Sequence, residues 1–164
     1  GQGASAKKQM EQRLASLGVD DEVIRNVGEA SRDLAEADES RGYVQSALES
    51  ASAFAATLKR DRDAAQQAAE RAVKDGDDDS ARKYLTARIA LDKRCAVAEA
   101  EAIDATSRLK RAEADVEALR ARCDELDYLV ARAVVAKSRG ESVSPFPGGA
   151  ENSLLARFRA LEEE

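Results

Sequence analysis

The chain has 164 residues, of which 35% are charged and 4% aromatic, with no His, no Trp and a formal net charge of −6. That profile belongs to long solvated helices rather than a compact fold, and it lacks the basic face that phosphate binding requires, which argues against nucleic acid as a main partner. No run approaches the ~18–20 apolar residues of a membrane span, and no signal-peptide apolar region is visible.

Residues 1–19 form a polar leader, within which Ala6–Leu17 can make a short helix with Met10, Leu14 and Leu17 on one side. Two readings stand for it. One is an amphipathic membrane helix using Lys7, Lys8 and Arg13 on anionic lipid. The other is a frayed leader or one packed on its own chain, which the narrow apolar face and the missing aromatic anchor favour. Gly18 suits a left-handed cap. The chain opens at Gly1 without a Met, so the expectation is that a natural N-terminus is missing.

Residues 20–139 read as a long antiparallel coiled-coil hairpin, with helices over about 21–74 and 80–138 and a tip at 75–79. Asp20 is the expected N-cap, with Asp21 and Glu22 complementing the helix dipole. Alternating steps of three and four along helix one give Val27, Ala30, Leu34, Ala37, Arg41, Val44, Leu48, Ala51, Ala55, Leu58, Arg62, Ala65, Ala69 and Ala72. Helix two gives Ala81, Tyr84, Arg88, Leu91, Cys95, Ala98, Ala102, Ala105, Leu109, Ala112, Val116, Leu119, Cys123, Leu126, Val130 and Ala133. Apolar residues fill 27 of these 30 positions in a chain that is 43% hydrophobic, and a mean spacing of about 3.5 is the coiled-coil period.

The two seams match when position i faces 153 minus i, as in Leu58 with Cys95, Leu48 with Ala105 and Val27 with Leu126. The symmetry point falls beside Gly76, where a fold-back must have it. Many layers are small, which predicts helix approach near the lower end of ~8–10 Å, and arms of ~1.5 Å per residue would run roughly 80–90 Å. Arg41, Arg62 and Arg88 are expected to lay their stems along the seam and reach carboxylates. Glu70 with Lys74, and Asp104 with Arg108, have ion-pair spacing. Gly28 and Gly42 inside helix one are hinges, close-approach sites or ordinary tolerated glycines.

The acidic turn 74–80 is not a calcium loop, because counting from Asp75 the glycine falls at position two and position twelve is Thr86. Its aspartates cap and charge the next helix. Cys95 and Cys123 lie roughly 42 Å apart by helical rise, beyond disulfide reach, and read as seam hydrophobes in keeping with a reducing compartment; an intermolecular disulfide is the lesser reading. Phe54, Ile89, Val97, Ile103, Leu129, Val134 and Val135 fall off the seam. A lone hairpin would leave them wet, so they point to a further partner, with Phe54, Ile89, Val97 and Ile103 as candidate intersubunit contacts. Residues 140–151 form a linker with two prolines and no phosphate-loop motif. Residues 152–164 form a tethered amphipathic helix whose Leu155, Phe158 and Leu161 suit docking onto a hairpin, its own or a neighbour's.

Ala68-Ala69-Glu70-Arg71-Ala72, followed after six residues by Asp79-Ser80-Ala81-Arg82-Lys83-Tyr84-Leu85, resembles the hairpin tip of the phage shock protein A family. That family includes the vesicle-inducing plastid proteins and bacterial relatives of ESCRT-III. Asp79, Ala81, Arg82 and Leu85 match its acidic-x-Ala-Arg-x-x-Leu pattern beyond the turn at Gly76; Ser80 stands where the family usually has Leu. Ala156-Arg157-Phe158 and Leu161-Glu162 resemble its later helix. The specific match covers about a fifth of the chain, and the family's strongly amphipathic leader is poorly represented.

The resemblance implies a cytoplasmic protein, peripheral to membrane, that polymerises and remodels or protects bilayers in stress response. It implies side-by-side hairpins, with a late helix crossing the hairpin of another subunit near its tip. The alternative is a regulatory coiled coil that binds an AAA+ ATPase, since members of the family also inhibit a transcriptional activator of that type. Expected partners are thus the chain itself, anionic membrane or an ATPase. No enzyme is expected, nor catalytic, metal or cofactor residues: the chain has no His and no nucleotide loop, and its thiols sit in the seam.

Overall fold

The computed structural model describes residues 2–140 and is all-helical over them, with α1 at Gln2–Ser16, α2 at Asp21–Lys74 and α3 at Asp78–Ser138. The two long helices pack together. The expected linker at 140–151 and last helix at 152–164, with Leu155, Phe158 and Leu161, lie outside the described residues apart from Gly140. The chain divides into two compact units, the first Gly1–Glu39 with Ala114–Glu164 and the second Ser40–Glu113.

Local chemistry sets the ends of the elements. Gly18 has φ +83, its N–H donates to the Ala15 carbonyl at 3.0 Å, and the Val19 N–H reaches back to Leu14 at 3.1 Å. This paired closure satisfies the last carbonyls of α1, and the left-handed backbone strains any residue with a Cβ. The helix begins four residues earlier than the expected Ala6, since Ala4 and Ala6 are good helix formers ahead of the first large apolar residue. Asp20 Oδ1 accepts from the Glu22 N–H at 3.2 Å and so caps α2.

At the tip Gly76 has φ +71, and the Asp77 N–H donates to the Ala72 carbonyl at 2.9 Å. Asp77 Oδ1 accepts from the Ser80 N–H at 3.1 Å. That cap starts α3 at Asp78 rather than about 80, so the expected tip at 75–79 shrinks to the three residues 75–77. Hydrogen bonds from Ser80, through its side chain and its backbone, hold the Asp77 carboxyl below its ordinary range. A lowered folded-state pKa means that the cap contributes at neutral pH. It weakens as pH falls below the ordinary Asp value of about 3.9 and is lost on passing through the folded value. The expected result is a Ser80 amide resonance that shifts on acidification in the native chain and stays still in Asp77→Asn, which keeps the acceptor without the titration.

The first unit has a core of Val19, Val23, Ile24, Val27, Ala30, Leu126 and Leu129, with Leu14, Cys123, Val130 and Val134 packed against it. Leu129 and Val134, expected to be wet, are thus covered. The reason is a third contributor: Leu14 of α1 and the Val19–Ile24 entry to α2 add a layer that a bare pair of helices lacks. A Cβ on Gly28 would stand 3.1 Å from Lys7 Cε, so Gly28 marks close approach of α1 to α2. Arg122 is 5% exposed, with Nη1 3.7 Å from Asp33 Oδ2.

In the second unit Ala55, Leu58, Cys95 and Ala98 form one buried cluster, with Leu91 packed against it. Arg62 lies 3.2 Å from Asp63 and 3.8 Å from Asp92, while Arg88 reaches the other oxygen of Asp92 at 3.9 Å. Two seam arginines from different helices therefore converge on one carboxylate, with their stems along the seam. Arg41 Nη1 donates to Gln45 Oε1 at 2.8 Å. The Asp104–Arg108 pair forms at 3.3 Å, whereas Glu70 accepts from Gln66 at 3.1 Å in place of Lys74.

Every seam position along both long helices is buried or half-buried except Tyr84. Eight of those buried are alanines, between 0% and 9% exposed. Among the interior glycines of α2, Gly42 would gain a Cβ with nothing within 4 Å. Space and a helical backbone leave only the propensity term, so Gly42→Ala is expected to stabilise by up to ~1 kcal/mol, read as a higher denaturant midpoint. A fall in stability would mean that the glycine serves a bend or a contact.

Candidate interaction surface

The candidate surface lies in the second unit and follows from helical geometry. With the seam facing the partner helix, a residue directly after a seam position points to one flank and a residue directly before it points to the other. The Lys59–Glu99 ion pair, at 3.0 Å, joins two residues of the following kind across α2 and α3, which places both sets of followers on the same flank. An open groove of about 410 Å³ lies on that flank, lined by Ser52, Ala55, Ala56, Lys59, Glu99, Ala102 and Ile103.

The apolar residues that the seam leaves out separate onto these flanks. Val73, Leu85, Ile89 and Ile103 follow seam positions and share the groove flank. Phe54 and Val97 precede seam positions and lie on the opposite flank. All six are exposed, from 36% at Leu85 to 69% at Ile103. Of the residues matched to the tip pattern, Ala81 is buried beneath the turn. Asp79 and Arg82 are solvated and 4.0 Å apart, an exposed pair that contributes little to stability.

Sequence reasoning pooled the off-seam residues as one set and did not divide them. The signal for the division was present in the residue order beside each seam position. It also missed the burial of Arg122, which precedes a seam position and so reads as a solvated flank residue.

The thiols do not form a reactive site. Cys95 is buried and Cys123 half-buried, both free. Burial pushes the Cys123 thiol up, aided by Asp127, which disfavours the reactive thiolate. No described helix is long and apolar enough to cross a membrane. Compared with protein-family models, with curated proteins and with solved structures, the chain matches none.

Proposed function

We propose that the chain is a self-assembling scaffold, cytoplasmic and peripheral to membrane, that remodels or protects bilayers in the manner of the phage shock protein A family. Its working part is an antiparallel coiled-coil hairpin turning at Gly76. Support for that sense of pairing comes from the second unit, where Ala55, Leu58, Cys95 and Ala98 cluster as the expected partners Ala55–Ala98 and Leu58–Cys95. In the first unit Val27 and Leu126, another expected pair, share a core.

The observation that carries the self-assembly reading is the exposure of large apolar side chains on both flanks of the second unit. Single exposed apolar residues are ordinary. Four of them on one flank, with Phe54 and Val97 on the other, favour coverage by further helices. The alternative is a regulatory coiled coil whose tip binds an ATPase. It draws on Val73, Tyr84 and Leu85, exposed beside the acidic turn.

Light scattering and negative-stain microscopy of the purified chain, with and without anionic liposomes, separate the two. The scaffold reading expects ordered assemblies and altered vesicles. Monomers that persist at high concentration and ignore lipid would sink it.

A further inference from the structure

We propose that residues 151–164 dock on their own chain, along the flank of the first unit that carries Arg122, Glu125 and Leu129. The inference concerns a single chain and so stands apart from the scaffold reading.

Three observations carry this. The first is burial. Residues that precede a seam position share one flank, and in the second unit none of them is buried, with only Ala68 and Ser80 half-buried. In the first unit Arg122 is 5% and Leu129 3% exposed. Ala118 and Glu125 are half-buried there, as are Asn26, Glu29 and Asp33 on α2. Leu129 belongs to the core, which accounts for it and not for its polar neighbours. Nor does α1 account for them, because it meets α2 at Gly28, which follows a seam position and lies on the opposite flank. An open groove of about 360 Å³ runs beside the stripe, lined by Asp124, Glu125, Tyr128, Leu129 and Arg132.

The second is length. Gly140 closes α3 with a left-handed backbone, and only residues 141–150 separate it from Glu151. An extended tether of that length spans up to roughly 33 Å, ample to bring the segment back onto the last turns of α3. The first compact unit also takes in the chain as far as Glu164.

The third is a match of residue types. In the helix expected over 152–164, Leu155, Arg159 and Glu162 stand at i, i+4 and i+7 and form one stripe. Read backwards along α3, Leu129, Glu125 and Arg122 form a stripe with the same spacings. Laid antiparallel, Leu155 meets Leu129, Arg159 meets Glu125 and Glu162 meets Arg122. Glu151 then comes level with Arg132. Arg157, on the other edge, comes between Glu22 and Glu29 of α2 in the 153 minus i pairing. One like-charged approach remains, Glu164 toward Asp33, at the last residue. Laid parallel from the same leucines, Arg159 and Glu162 meet only Ala133 and Ala136. Charge therefore selects the antiparallel course, while Leu155, Phe158 and Leu161 supply the apolar area.

The chain has no Trp, so Phe158→Trp in the full-length chain places a single indole at the centre of the docked segment. Without lipid, its emission is expected to be blue-shifted and its quenching by acrylamide several-fold weaker than in Phe146→Trp, which puts the indole on the tether. Both differences should survive dilution, as a contact within one chain must. Adding Glu125→Lys sets a cation against Arg159 and should move emission and quenching toward the tether values. Asp127→Lys, two residues away on the opposite flank and exposed, should change neither. Neither substitution touches the core, so circular dichroism should show native helicity in both. An indole as solvated in Phe158→Trp as in Phe146→Trp would overturn the docking. Shielding that fades on dilution would overturn it too, by assigning the segment to a neighbour. Equal responses to Glu125→Lys and Asp127→Lys would overturn the choice of flank.

Discussion

Leu126→Ala is expected to destabilise the protein by about 2–5 kcal/mol, the usual cost of a buried leucine whose cavity does not collapse. Leu126 is among the largest side chains almost wholly removed from solvent, at 2% exposure. It packs with Val19, Val23, Ile24 and Val27, which enter and begin α2. The cavity would open where three contributors meet, and none can close it alone. Tyr128→Ala supplies the contrast: two residues away in the same helix and 66% exposed, it should change stability by no more than about 0.5 kcal/mol. Denaturant unfolding monitored by circular dichroism reads both. Equal small losses would mean that the first-unit core does not hold α2 and α3 together.

The second large effect runs the other way in size. Ala105→Leu is expected to cost about 1–3 kcal/mol, because a residue 1% exposed has no room for three more carbons without moving a helix. Ala100→Leu adds the same group at an exposed position of the same helix and should be close to neutral, since Ala and Leu have similar helix propensities. The difference isolates close approach of the helices from propensity. A stabilised Ala105→Leu would mean that the alanine layers are loosely packed and waiting to be filled.

Much of this architecture was readable from the residues because a long helix pair has a single strong pattern. Steps of three and four located the seam, and Tyr84 alone departs, its ring too large for the alanine layers near the turn. Gly18, Asp20 and Gly76 announced the ends of elements through backbone and capping chemistry that acts within a few residues. Asp77 was less legible: four aspartates crowd the turn, any of which can cap, and only the hydrogen bond to Ser80 distinguishes one. The core around Val23 and Leu129 was legible only in part: the seam gave Val27 with Leu126, off-seam Leu129 called for a further partner, and a leader packed on its own chain was one of two readings, but the return of α1 to α2 at Gly28 joins segments with no shared period. Arg122 was hidden for a related reason, because its position in the repeat describes a two-helix environment and its burial does not come from that repeat.

The folded-back pairing of α2 with α3 is most directly tested by disulfide crosslinking in a chain lacking Cys95 and Cys123. Leu48→Cys with Ala105→Cys is expected to close within one chain on mild oxidation, since the proposed antiparallel pairing sets the two positions opposite each other about Gly76. Leu48→Cys with Leu91→Cys, offset by roughly 21 Å of helical rise, should remain reduced. Closure of the second pair, or a first pair that links only separate chains, would contradict the pairing.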